Sequence, residues 1–285
     1  MSAFDAIERR LGPLLPLDAA GGAALAMILV AIPILPKAGP YATGAVAVLA
    51  ILAVASREVR RHPGIWALIG AVHAFLLARD WYRLDNHDFL ILYAVLALAV
   101  AFTTEDPEAS FRTQARWLVG LAFALATGWK LFSGEFIDGT FFTHAQLVDP
   151  RFSRVAELVS GLDAATAEAA REAIAAAVRE PVAAAVTIPT DQVRGLAALF
   201  TGWGVALEGG IAVTMLGPDR PRWRAARSLL LLVFMGTTYL VVPVVRFGLL
   251  LAALGIGQSE GRWRTAFWWS IPALVAWGPI WQALQ

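Results

Sequence analysis

Cysteine is absent from the 285 residues, which excludes disulfides, thiolate metal sites and a thiol nucleophile. Charge is scarce as well. Asp, Glu, Lys and Arg supply 16% of the chain, against about 25% in an ordinary soluble domain. The net charge of +1 gives no argument for a nucleic-acid partner. The 4 histidines are too scattered to suggest a metal centre, and no pair of them has helical ligand spacing. A G-x-S-x-G elbow, a phosphate-binding glycine loop and a dinucleotide fingerprint are all missing. So are an internal repeat and a low-complexity linker, and one domain over 1–285 is the simplest expectation. The N-terminus lacks the shape of a signal peptide: Asp5, Glu8, Arg9 and Arg10 suggest a short amphipathic, cytoplasmic lead-in.

What is present is apolar sequence. Hydrophobic residues make up 58% of the chain, and 11 tryptophans suit interfacial belts. A bilayer core takes about 20 apolar residues as helix. On that ruler spans fall near 18–36, 41–56, 64–79, 87–103, 115–133, 195–216, 226–243 and 265–283. The run 244–257 is short for a crossing. It is either a ninth short span or the tail of its predecessor, broken at Pro243.

Charge helps to choose. Arg57, Arg60 and Arg61, then Arg112 and Arg116, then Arg220, Arg222, Arg224 and Arg227 fall on one face if the spans alternate. The positive-inside rule makes that face cytoplasmic. Arg262 and Arg264 join it only if 244–257 crosses back, which favours nine crossings with the C-terminus outside. The expected fold is therefore an all-α, polytopic transmembrane bundle of 8–9 spans, in a bacterial inner membrane. Residues 134–193 form an extracytoplasmic helical insert. Within it Asp163 is a candidate N-cap and Pro181 a stop, and Ile174 and Val178 make a thin apolar stripe.

Charged and polar residues inside spans are costly and are functional candidates by default. By depth these are His73, Lys130, Glu208 and Arg246. Glu208 is the deepest, flanked by Gly204, Gly209 and Gly210, which permit close helix approach. A lone buried carboxylate neutralises or finds a cation, and Arg246 and Lys130 are the available ones. A packing ion pair and a proton- or ligand-handling role both remain open. His73 suits an interhelical hydrogen bond. The densest polar stretch is "ARDWYRLDNHDFLILY", 78–93, with Asp80, Arg83, Asp85, Asn86, His87 and Asp88. Its plain account is an interfacial turn, with Asn86 as N-cap and Arg83 paired to Asp80 or Asp85. Its functional account brings Asn86 and His87 to Lys130 at the outer mouth, where desolvation would tune the lysine as a base.

The stretch "DNHDFLILYAVLALAV", followed by an arginine-led span ending "GWKLFSGEFIDGTFF", resembles the membrane domain of vitamin K-dependent gamma-carboxylase and its bacterial relatives, the HTTM-like family. The matching positions are Asn86, His87, Lys130, Asp138 and Gly139, with one extra residue between lysine and glycine; the likeness covers 64–257. The resemblance implies a pocket for a quinone or other lipid at the outer leaflet, with Lys130 as general base and His87 as its hydrogen-bonding partner. Asn86, Asp138, Glu208 and Arg246 are the candidate cofactor-binding residues. Two departures stand out. Phe234-Met235 replaces the family's phenylalanine–histidine pair, and the carboxylase's lumenal propeptide-binding domain is missing, so glutamate carboxylation is not carried over. Three functions follow as expectations. One is a non-catalytic membrane subunit, anchor or assembly partner, engaging lipid and a protein through 134–193. The second is a quinol-using membrane enzyme, and the third a transporter with Glu208 in a polar path. The third lacks the inverted repeat and broken helices of that class.

Overall fold

The computed structural model describes residues 18–31, 40–83, 85–179, 190–242 and 244–284. Among these residues the chain is all-helical. The long helices are α1 (Ala19–Ala31), α2 (Pro40–Ala55), α4 (Pro63–Asp80), α5 (Asn86–Ala101), α6 (Pro107–Phe132), α11 (Thr190–Leu216), α12 (Pro221–Val241), α13 (Val245–Gln258) and α14 (Gly261–Leu284). A single turn, α3 (Arg57–Arg61), joins α2 to α4. Between α6 and α11 lie α7 (Gly134–Ile137), α8 (Thr140–Val148), α9 (Pro150–Ser160) and α10 (Ala164–Arg179).

Caps, rather than the edges of apolar runs, set where several helices begin. Pro63, Pro107, Pro150 and Pro221 each stand at a first turn, where the missing N–H costs nothing. The Asp106 side chain accepts from the Ala109 N–H at 3.0 Å, so α6 starts eight residues before the apolar run that begins at 115. The N-cap of α5 is Asp85, in a capping box with Asp88, which corrects the expectation of Asn86; Asn86 is the first helical residue. Asp163 caps α10 as expected, accepting from the Thr166 N–H at 2.9 Å. Pro181 lies outside the described residues, and the structure describes nothing of Val178's side chain.

Ion pairs bring one set of turns together. Asp18, ahead of α1, takes Arg61 at 2.8 Å and Arg57 at 3.5 Å, and Arg61 reaches Glu108 of α6 at 3.3 Å. Arg112 binds Glu260, before α14, at 2.6 Å, and Arg224 reaches the same carboxylate at 3.5 Å. The three arginine clusters and the turn after α13 thus share one end of the bundle. The other end of α13 carries Arg246, bonded to Asp88 at the start of α5. Residues 244–257 are therefore a separate helix that returns to the arginine-bearing end. Two helical stretches, Val193–Leu216 and Pro221–Val241, are long and apolar enough to cross a membrane. Shorter apolar helices accompany them, including Asn86–Ala101 and Val245–Gln258.

α13 is the centre of the packing, with every residue from Gly248 to Gln258 buried. Its glycines explain how 14 residues touch so many neighbours. A Cβ on Gly257 would fall 2.4 Å from the ring of Phe111 in α6, and one on Gly255 would fall 2.4 Å from Phe267 in α14. Small residues let helix axes approach until such rings seat on bare backbone. The insert has its own small core of Leu147, Ala156, Leu162, Ala167, Ala170 and Val193, with Ile174 packed against it. Its rings Phe142 and Phe152 dock on Phe200 of α11, with centroids 5.6 and 5.9 Å away.

Gly257→Ala is expected to destabilise the protein by about 1–3 kcal/mol, because Phe111 is fully buried and has nowhere to move. Gly204→Ala, which meets nothing within 4 Å, is expected to be neutral or stabilising. Thermal unfolding of the two variants in detergent compares them directly; equal midpoints would contradict the packing.

Candidate functional site

Lys130 lies in the last turn of α6, three residues after Thr127 and so on the same face. Its ammonium donates to Glu208 Oε1, across to α11, and the two side chains are 17% and 10% exposed. Glu208 therefore finds Lys130 of its two candidate cations. The Lys130 ammonium also lies over an aromatic ring, with its Nζ 5.4 Å from the centroid of Phe136. The other carboxylate oxygen, Glu208 Oε2, is buried with no hydrogen-bond partner among the described residues. The same holds for the hydroxyls of Thr127 and Thr201. Thr127 packs against the Gly209 backbone beside Glu208, its methyl 3.6 Å from where a Cβ would stand. Thr201 precedes Glu208 by two helical turns on the same face.

A second interhelical pair uses the 85–88 turn. Arg246 donates to Asp88 Oδ1 at 2.7 Å, while Asp88 Oδ2 accepts from the Asp85 N–H at 3.2 Å. His73 of α4 contacts the Asp88 carbonyl through Nε2 at 2.9 Å. It is the interhelical hydrogen-bonder its sequence position suggests. Asp88, 4% exposed, thus joins α4, α5 and α13. His87 lies against Phe247 in a tilted ring pair with centroids 5.9 Å apart, and its Nε2 is 3.8 Å from Asp85. Asn86 is exposed on the first turn of α5.

Lys130 is held by Glu208, whereas His87 packs against α13 beside the Arg246–Asp88 pair. Asp138 has a local task. It accepts from the Thr140 N–H at 2.8 Å, and that bond holds its carboxyl below the usual range. It thereby fixes the turn into α8, in which Gly139 has φ 80°. The side chains of Asp80 and Arg83, and so their expected pairing, lie outside what the structure describes.

Asp85, His87 and Asp88 bring three ligand-type atoms within 4.8 Å of one another. Both oxygens of Asp88 are already engaged, one by Arg246 and one by the backbone. That leaves the trio as the end of a hydrogen-bonded turn. Sequence reasoning did not foresee Asp88 as the anion for Arg246, since the two are 158 positions apart. Its one local signal was the Asp-x-x-Asp spacing of a capping box. The roles of Thr127, Thr201 and Phe136 had no signal at all. The chain matches no family model, no curated protein and no solved structure.

Removing one member of a desolvated pair leaves the other as an uncompensated charge, which costs about 3–5 kcal/mol. Lys130→Met and Glu208→Met are each expected to lower stability by about that much. The double variant is expected to recover to within about 1 kcal/mol of the parent, since two apolar side chains of similar volume leave no charge behind. Additive losses in a thermal-unfolding cycle would show that the two groups are not coupled.

Proposed function

We propose that the chain is a polytopic integral membrane protein of nine crossings, of the HTTM-like type. Its arginine-bearing end is cytoplasmic and residues 134–193 are extracytoplasmic. In this reading it is a membrane subunit that anchors or assembles a partner protein through the insert.

The observation that carries the reading is the state of the interior charges. Lys130 is closed by Glu208 and Arg246 by Asp88, each across two helices. Such closure suits a bundle held rigid in lipid better than a lysine kept free as a base. The outward faces support the same view, with Leu125 74% and Phe132 92% exposed near the end of α6. Exposed apolar carbon of that size on several helices fits a hydrocarbon solvent. The insert meanwhile presents Leu158 and Val159, 74% and 64% exposed, at the end of α9. That is an apolar step outside the face that carries Phe152 and Ala156 into the insert's core, suited to a protein partner.

One observation favours a second reading, a lipophilic ligand at the Lys130–Glu208 pair. Glu208 Oε2 and the hydroxyls of Thr127 and Thr201 are buried polar atoms without partners, and such atoms ordinarily acquire one. A quinol or a similar amphiphile, which supplies hydroxyl donors, fits that set. Glu208 would accept from it and Lys130 would hold the opposing charge.

Native purification with mass spectrometry of bound proteins and bound lipids separates the two. A stoichiometric protein partner that is lost in the Leu158→Glu variant is the expected result. A quinone or quinol retained without any protein partner would replace the subunit reading by the ligand reading.

A further inference from the structure

Near the cytoplasmic-type end, arginine outnumbers its partners. Arg116 of α6 and Arg224 and Arg227 of α12 all converge on one carboxylate, Asp219, at 3.9, 3.5 and 2.8 Å. Arg224 shares Glu260 with Arg112. Among the described residues four guanidinium groups thus face two carboxylates. Arg227 is the extreme case. Its side chain is 1% exposed, its anion among the described residues is Asp219, and its Nε and Nη1 are buried there without a partner. The Nε groups of Arg112 and Arg116 are in the same condition, and Arg224 Nε has only the 3.5 Å contact to Asp219. Guanidinium carries five N–H donors that ordinarily find acceptors when buried. Among the described residues the cluster is therefore short of both negative charge and acceptor oxygens.

The exposure is graded. From Arg227 at 1% it rises through Arg116 at 17% to Arg224 at 41% and Asp219 at 50%. Oxygen-rich anions can approach from the open side, along Arg224 and Arg116. We propose that the Arg116, Arg224 and Arg227 group binds a phosphate-class anion, supplied by a phospholipid headgroup or by free phosphate. Several tetrahedrally arranged oxygens carrying net negative charge supply the missing charge beside Arg227 and can accept from the open N–H groups of Arg116 and Arg224, and the planar fork of arginine is matched to them. A carboxylate ligand would bring fewer acceptors. Asp219 then serves to hold the three arginines at spacing in the absence of the anion. The site is far from the Lys130–Glu208 pair and stands whether or not the subunit reading does.

The test uses the full chain, purified in detergent and washed free of co-purified lipid. Phosphatidylglycerol, diacylglycerol and inorganic phosphate are titrated in turn, and the rise in thermal midpoint gives the affinity of each. Phosphatidylglycerol is expected to stabilise and diacylglycerol, which has the same tails without phosphate, is not. Arg116→Gln and Arg224→Gln are each expected to weaken phosphatidylglycerol about tenfold, as loss of one charge-assisted hydrogen bond would. Arg222→Gln, an exposed arginine on the same helix but outside the group, is expected to leave affinity unchanged. Stabilisation by inorganic phosphate to the same extent assigns the site to a soluble anion; stabilisation by phosphatidylglycerol alone assigns it to a headgroup. The proposal is overturned if neither stabilises, if diacylglycerol matches phosphatidylglycerol, or if Arg222→Gln weakens binding as much as Arg116→Gln does.

Discussion

A charge surrounded by apolar helices must be closed by another charge, and that constraint organises this molecule. Within the bundle it produces two cross-links, Lys130 to Glu208 and Arg246 to Asp88. At one end it produces a continuous chain of pairs running from Asp18 through Arg61 and Glu108, and another from Arg112 through Glu260 and Arg224 to Asp219. These contacts are worth little as isolated surface pairs. Their importance is geometric, because they fix which helix ends lie together and so the direction of each helix between them.

The short helix α13 depends on that arrangement. It has 14 residues, about 21 Å of helix, and it spans from the Asp88 contact to the arginine-bearing end. Its glycines remove the side chains that would keep Phe111 and Phe267 away. A longer, fully branched helix would need neither device. The same logic explains Asp88, which satisfies a helix N-terminus, an arginine and, through its carbonyl, a histidine in one place.

The helical class and 244–257 as a segment separate from its predecessor were legible in the sequence, because apolar runs and the breaks between them carry those signals locally. Helix starts were less so: Pro107 and Asp106 begin α6 within polar sequence, where capping outweighs hydropathy. Glu208 and Lys130 were legible as polar residues in apolar surroundings, but their pairing was one of two options. The partner of Arg246 was not legible, since a contact across 158 positions leaves no pattern in either segment. The grouping of His87 with Lys130 came from their expected shared end. In the structure the histidine lies against Phe247 and the lysine is paired with Glu208.

The central claim is that the arginine-bearing end and the 134–193 insert lie on opposite sides of a membrane. α6 alone separates them by about 39 Å, from its 26 residues. The lack of native cysteine makes the test clean. Glu105→Cys, ahead of α6, and Ala169→Cys, in α10, each introduce one thiol at an exposed position. A membrane-impermeant maleimide applied to intact cells is predicted to label the Ala169→Cys variant at once and the Glu105→Cys variant only after permeabilisation. Labelling of both variants in intact cells, or of the Glu105→Cys variant alone, would contradict the account.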